Sequence, residues 1–280
     1  MQTLGILARM VKIEHSVFAL PFAYIGCFLA AGGWPGWHVF LWVTLAMVAV
    51  RSFAMTFNRI ADLRIDSINP RTKDRPLVTG ELSKASAWLF LAGTAVVFVL
   101  ACAGLNRLCL WLSPVALFWA AGYSYTKRFT WLCHFWLGSV LGLAPLAGWL
   151  GVEPVFTLPA VLLLLGVTFW VAGFDILYSC QDVAFDKEHG LRSMPAVFGV
   201  PASLALSAFC HVNTALLFLL AGWATGLGWG YYLVWSVVSA ALCWEHTLIK
   251  PDDLSRINLA FFTINGVIAV ALFLGVLWGL

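Results

Sequence analysis

The sequence predicts an all-α membrane protein, a bundle of nine transmembrane helices with an internal parallel repeat. Three observations carry that reading. Hydrophobic residues make up 62% of the 280 and charged residues only 10%, against about 45–50% and ~25% in soluble domains. Apolar runs near the ~20 residues needed to cross a bilayer recur nine times. Spaced carboxylates gather between the runs at two places that resemble one another.

The runs lie at about 16–33, 38–60, 84–104, 108–126, 131–150, 157–181, 201–223, 227–247 and 257–279. Nothing remains for a separate soluble domain, so residues 1–280 are expected to form a single membrane domain. Arg9 and Lys12 precede the first run. A cleaved signal peptide would look similar, but eight further runs favour an uncleaved helix. No Arg- and Ser-rich transit segment precedes it, which points to a bacterial or archaeal plasma membrane.

Basic residues set the orientation. Of the 16 Lys and Arg, all but Arg51 and Arg107 fall before the first run or next to an even-numbered one. The positive-inside bias makes that face cytoplasmic, with the N-terminus inside and the C-terminus outside. The net charge of +3 is thereby an orientation signal and not a nucleic-acid footprint. Arg51 stands alone at depth in the second run. The seven Cys are scattered singly, without zinc spacing, and read as packing residues. Among the six His, His38, His134 and His246 read as interfacial and His211 as a packing residue. His15 and His189 flank the charged face. Glu245, at the end of a run, is expected to snorkel.

The second run ends in NRIADLRIDSINPRTKDRPLVTG, Asn58 to Gly80, with eight charged residues. Asn58, Asp62 and Asp66 are spaced by four, and so are Tyr178, Asp182 and Asp186 at the end of the sixth run. Each set leads through a basic loop to P-x-V-x-G, at Pro76–Gly80 and Pro195–Gly199. The two sets lie four runs apart and so face the same side, the pattern of a parallel repeat. Spacing by four puts each trio on one helix face. Two carboxylates per repeat then aim inward, where a cation is needed between them.

All-oxygen donors select a hard divalent ion, Mg²⁺ before Zn²⁺. Mg²⁺ retains one or two carboxylates and fills its shell with phosphate oxygens and water. Arg59, Arg71, Lys73, Arg75, Lys127, Arg128, Lys187 and Arg192 stand on the same face and suit the remaining charge of a diphosphate. For Arg64, Arg71, Lys84, Lys250 and Arg256 taken singly, a solvated loop is the plainer reading.

These residues carry a resemblance. NRIADLRID with NPRTKDRPLVTG resembles the first aspartate-rich motif of the UbiA-type intramembrane prenyltransferases, and DILYSCQDVAFD resembles their second. YSYTKRFT, Tyr123 to Thr130, is similar to their segment after the fourth helix. KIEHSVFALPFAYIG, Lys12 to Gly26, is similar to the opening of the 4-hydroxybenzoate polyprenyltransferase-like members. The resemblance covers the whole chain. It implies Mg²⁺-dependent transfer of a prenyl group from a polyprenyl diphosphate to an aromatic or other lipophilic acceptor. By motif, Asn58, Asp62, Asp66, Asp182 and Asp186 would hold the metal–diphosphate. Asp175, deeper in the sixth run, would face the acceptor or the developing cation, and Tyr178 stands beside it. Lys127 and Arg128 would contact diphosphate or an acceptor carboxylate. Lys187 and Arg192 would add charge at the same site.

Breaking a C–O bond to diphosphate leaves an allylic cation, which needs a site closed to water and faced by aromatic rings. Phe53, Phe57, Tyr123, Tyr125, Phe169, Trp170, Phe174 and Tyr178 lie near enough in sequence, with Tyr123 and Tyr178 the best placed. The small residues Gly138, Gly142, Ala144, Ala147 and Gly148 suit either close helix packing or passage of a prenyl tail. 4-Hydroxybenzoate and 1,4-dihydroxy-6-naphthoate, the acceptors of two quinone routes, both carry a carboxylate that Arg128 or Arg51 could pair; EHSVFALPFA and FDILYSCQDVAFDKEHGLRSMPAVFG more nearly resemble the naphthoate-type group. Haem farnesyl transfer and lipid ether synthesis belong to the same superfamily. A transporter for divalent cations or phosphorylated solutes is the competing class. Against it, the acids gather at one membrane face.

Overall fold

A computed structural model describes residues 2–11, 19–257 and 259–280. Lys12, His15 and the start of the first apolar run lie outside the described residues. Among those described, the backbone is helical almost throughout, and the β content is one isolated bridge between Lys250 and Asp253.

Helix α1 spans Gln2–Val11 and α2 Leu20–Ala31. Pro21 stands at the start of α2, where its missing N–H costs nothing. The Gly33 N–H closes the other end on the Phe28 carbonyl at 3.0 Å. Next come α3 (Gly36–Ala61), the six-residue α4 (Leu63–Ile68), α5 (Lys84–Leu105) and α6 (Arg107–Thr126). Ser83 caps α5 by accepting from the Ser86 N–H at 3.1 Å. Asn106 caps α6 by accepting from the Cys109 N–H at 2.9 Å. The second half holds α7 (Cys133–Val152), α8 (Leu158–Ser179), a 3₁₀ turn at Cys180–Asp182 and α9 (Val183–Glu188). It continues with α10 (Met194–Phe198), α11 (Val200–Ala224), α12 (Trp229–Leu248), a π-helical turn at Leu259–Ile264 and α13 (Asn265–Gly279).

Six of these helices are long and apolar enough to cross a membrane: α3, α5, α6, α7, α8 with its α9 extension, and α11. The apolar helices α2 and α13 are shorter, with 12 and 15 residues. Helix α12 has 20 residues and carries Glu245 and His246.

Helix α7 is the hub, packing on α2 and α8, while α8 also packs on α11, α3 on α5, and α12 on α13. Lipid tails are as apolar as Leu, so helices in a bilayer gain by close approach. The glycines of α7 permit it. A Cβ on Gly138 would lie 2.3 Å from the Thr168 carbonyl oxygen of α8, and one on Gly148 would lie 2.0 Å from that of Ala23 on α2. Gly26 answers from α2, where a Cβ would lie 2.0 Å from the Pro145 carbonyl oxygen. The glycines of this face therefore serve packing. We expect Gly148→Ala to lower stability by about 1–3 kcal/mol, read as an earlier melt in detergent. Gly93→Ala, which meets nothing within 4 Å, should melt like the parent.

Two expectations are corrected here. Glu245 does not snorkel: it is 0% exposed, accepting from the Asn265 amide at 3.2 Å with His211 Nδ1 3.7 Å away. The packing of α12 on α13 turns its face inward. His134 is not interfacial but buried, at 2% exposure, because α10 closes over it.

Candidate active site

The charged residues converge where α3 and α8 end. Both helices break at an aspartate in the same way: Asp62 has φ −96°, ψ 7° and Asp182 has φ −97°, ψ 6°. Each break starts a six-residue helix, α4 or α9, whose inward side buries the next carboxylate, Asp66 or Asp186. Each segment then reaches a glycine in the left-handed region, Gly80 at φ +80° and Gly199 at φ +84°, a conformation that disfavours any Cβ.

Each of the four carboxylates faces a cation. Arg128 donates to Asp62 Oδ1 at 3.0 Å and to the Ala61 carbonyl at 2.7 Å. Arg75 pairs with Asp66. Arg71 grips Asp182 with two bonds, Nε to Oδ1 at 3.1 Å and Nη2 to Oδ2 at 2.6 Å. Lys127 Nζ lies 2.9 Å from Asp186 Oδ1, and the Ser193 hydroxyl donates to Asp186 Oδ2. Adjacent Lys127 and Arg128 thus serve opposite halves of the bundle. The loop that carries Arg71 is shaped locally. Asn69 precedes Pro70, which ends α4, and its side chain accepts from the Arg71 N–H at 2.9 Å.

Asn58 donates to Asp62 Oδ2 at 2.7 Å and accepts from Arg59 at 3.0 Å. Arg59 is buried beneath this layer. Burial above all pushes the Asp62 carboxyl above the ordinary carboxylate range; the Arg128 bond pulls it down and the Asp66 charge pushes it up again. Arg71 also lies over the Tyr178 ring, 5.4 Å from its centroid, and Phe261 packs on that ring at 4.1 Å.

Below the charges lies a cavity of about 340 Å³. Arg59, Arg71, Arg75, Tyr123 and Tyr178 line it beside the charges, Asp175 lines it deeper along α8, and its walls are apolar side chains of α3, α5, α6, α7 and α8. Along α3 it runs from Arg59 to Val43, 16 residues or about 24 Å of helix. Arg51 lines it at mid-depth, and Ala144 and Ala147 line it from α7, beside the glycines that pack on α2 and α8.

The structure thus brings together Asn58, Arg59, Asp62, Asp66, Arg75, Tyr123, Lys127, Arg128, Asp175, Tyr178, Asp182 and Asp186. Lys73 and Lys187 are solvent-exposed on the same segments. The exposed Arg192 braces the site through its backbone, donating to the Lys127 carbonyl at 2.7 Å. Arg71, Ser193 and His134 are participants that single-residue reasoning passes over. Of the aromatic candidates, Tyr123, Phe174 and Tyr178 line the cavity, joined by Phe261. Trp170 belongs instead to the core, its ring tilted at 49° against that of Phe22 with centroids 4.9 Å apart, and Phe169 packs on Phe135 at 5.9 Å.

Among the described residues no three His, Cys, Asp or Glu side chains form a ready-made metal cage. The donor set is two carboxylate pairs, each balanced by basic side chains. That chemistry fits Mg²⁺ shared with phosphate oxygens, which takes few protein ligands.

An all-helical bundle with acids and cations at one mouth of an apolar cavity defines an integral membrane enzyme for a ligand with a charged head and an oily body. Residues 19–267 match the UbiA prenyltransferase family model, and the chain belongs to that family. It is 34% identical over 242 residues to a 4-hydroxybenzoate octaprenyltransferase of Aromatoleum aromaticum, covering 86% of this chain and 82% of that one. The apo structure of a UbiA homolog from Aeropyrum pernix K1 superposes with a TM-score of 0.85 at 34% identity, over 94% of this chain and 97% of that one. A UbiA homolog from Archaeoglobus fulgidus, solved bound to GPP and Mg²⁺, shares the fold with a TM-score of 0.74 at 20% identity, over 97% of this chain and 99% of that one. The chain is accordingly a prenyltransferase, and family membership sets the transport reading aside.

Proposed function

We propose that this enzyme transfers a polyprenyl group from a polyprenyl diphosphate to an aromatic carboxylic acid with a phenolic ring, releasing diphosphate. The step would belong to quinone biosynthesis. 4-Hydroxybenzoate is the acceptor favoured by the names of the curated relatives. 1,4-Dihydroxy-6-naphthoate offers the same two groups and is the second acceptor to test. The observation that carries the reading is the apolar cavity with paired acids and bases at its mouth.

Asn58, Asp62, Asp66, Asp182 and Asp186 would hold Mg²⁺. When bound, Mg²⁺ supplies Lewis-acid neutralisation of charge on the leaving diphosphate. Arg71, Arg75, Lys127 and Arg128, now paired with those carboxylates, turn to the phosphate oxygens with charge-assisted hydrogen bonds. Tyr123, Phe174 and Tyr178 face the allylic cation without offering it a strong nucleophile. Arg51, which lines the cavity, and Arg128, at its charged side, are the two side chains that could pair an acceptor carboxylate.

The reading extends to architecture. Nine spans, related as a parallel repeat, are supported by the matched breaks at Asp62 and Asp182 and the matched turns at Gly80 and Gly199. The positive-inside bias supports a cytoplasmic N-terminus and site, an outward C-terminus, and a bacterial or archaeal plasma membrane.

Purified enzyme given a polyprenyl diphosphate should release diphosphate only when Mg²⁺ and an aromatic acid are both present. Chelation should abolish turnover. A donor left intact with every phenolic acid tried would overturn the proposal.

A further inference from the structure

Asp175 and its neighbours form a second polar constellation, apart from the four carboxylates at the mouth. Asp175 lies seven residues before Asp182 on α8, about 10 Å deeper along the helix, and lines the cavity. Its side chain is 24% exposed, while that of its partner His134 is 3% exposed. His134 Nδ1 lies 2.7 Å from Asp175 Oδ2. On the other side of the ring, the Met194 backbone N–H donates to His134 Nε2 at 3.1 Å.

The chemistry of these two bonds fixes the proton. A backbone N–H can only donate, so Nε2 must present its lone pair. The ring therefore carries its single proton on Nδ1, aimed at the Asp175 carboxylate. Protonating Nε2 would set two donors against each other in a buried place, at the cost of the Met194 bond. The neutral imidazole is thus a one-directional donor held between α7, α8 and α10. The strap behind it is continuous, since Ser193, next to Met194, bonds Asp186.

We propose that His134 is a positioning residue. It locks one oxygen of Asp175 and leaves the other to accept the hydroxyl proton of a phenolic acceptor during prenyl capture. This rests on the function proposed above. The allylic C–O bond breaks and its electron pair leaves with diphosphate. A ring carbon of the acceptor forms the new C–C bond as its hydroxyl proton passes to Asp175, giving a neutral dienone. The ring C–H proton then leaves to diphosphate, aromaticity returns, and Asp175 hands its proton back to the ring oxygen. One proton in total ends on diphosphate.

The test compares His134→Phe, His134→Asn and Asp175→Asn on a series of hydroxybenzoates whose hydroxyl acidity is raised stepwise by fluorine. We expect His134→Phe to lower kcat about 10–100-fold, with the donor KM within about twofold. His134→Asn, whose amide can still donate to Asp175, should recover much of that loss. For both His134→Phe and Asp175→Asn the deficit should shrink as the hydroxyl becomes more acidic, a trend that a merely structural defect would not produce. If His134→Phe fails to fold, Asp175→Asn, nearly isosteric, bears the test alone. An unchanged kcat, or a deficit equal across the series, would overturn the inference while the proposed function stands. Parent enzyme that turns over no hydroxybenzoate would remove the function, and this inference with it.

Discussion

Asp182→Asn should lose at least about 10²–10³-fold in turnover, the scale seen when one pre-organised electrostatic partner of a reacting group is removed. The substitution is nearly isosteric, so shape is kept and charge is lost. Arg71, which now spends two hydrogen bonds on Asp182, would keep one acceptor and lose its anion. The cost in stability should be small, because partly exposed ion pairs contribute about 0–1 kcal/mol and the Arg71 side chain is 39% exposed. Asp62→Asn should behave alike, since Asp62 occupies the matching break in the first half. The measurement is diphosphate release in Mg²⁺, alongside a melting curve in detergent. Lys73→Ala and Lys187→Ala, exposed on the same two segments, should change turnover by no more than about threefold. Both aspartate variants keeping parental turnover would dismiss the assignment of the site.

Sequence made the acids visible because charge is scarce in an apolar chain and spacing by four has one meaning on a helix. It also located the turns, since Gly80 and Gly199 stand where a positive φ is needed. Arg71 was harder to read. A basic residue after a span satisfies the orientation bias whatever else it does, and its partner Asp182 lies 111 positions away. His134 is hidden for the same reason. Its two partners are 41 and 60 positions distant, and no local spacing marks a histidine that one helix covers and another aims. Glu245 shows the converse error. Its place at a span end suggested solvent, and only the packing of α13 reveals that it faces inward. The small residues of α7 were legible as a class but not as individuals. Three glycines face helix backbones while Ala144 and Ala147 face the cavity, a division set by neighbours on α2 and α8.

That division yields the second large effect. Ala147→Trp should cut turnover of an octaprenyl donor at least tenfold while leaving a geranyl donor within about threefold. Burial energy cannot choose the route of the tail, because each CH₂ gains about 0.8 kcal/mol in the cavity and in lipid alike. Steric room chooses it. Ala147 lines the cavity together with Ala144 and Leu150, toward the end of α7 remote from Asp62 and Asp182. An indole there obstructs a long chain that follows the cavity inward, and a short chain ends before reaching it. Residue 147 is itself exposed, so a larger side chain enters open space and displaces none of the glycine contacts that hold α7 to α2. The competition is best run with both donors in one vessel, since the ratio of products cancels any shared loss of folded enzyme. An unaltered ratio would mean that the tail leaves the mouth sideways into lipid without passing Ala147. The deep cavity would then play no part in donor length, and specificity would rest on the charged mouth alone.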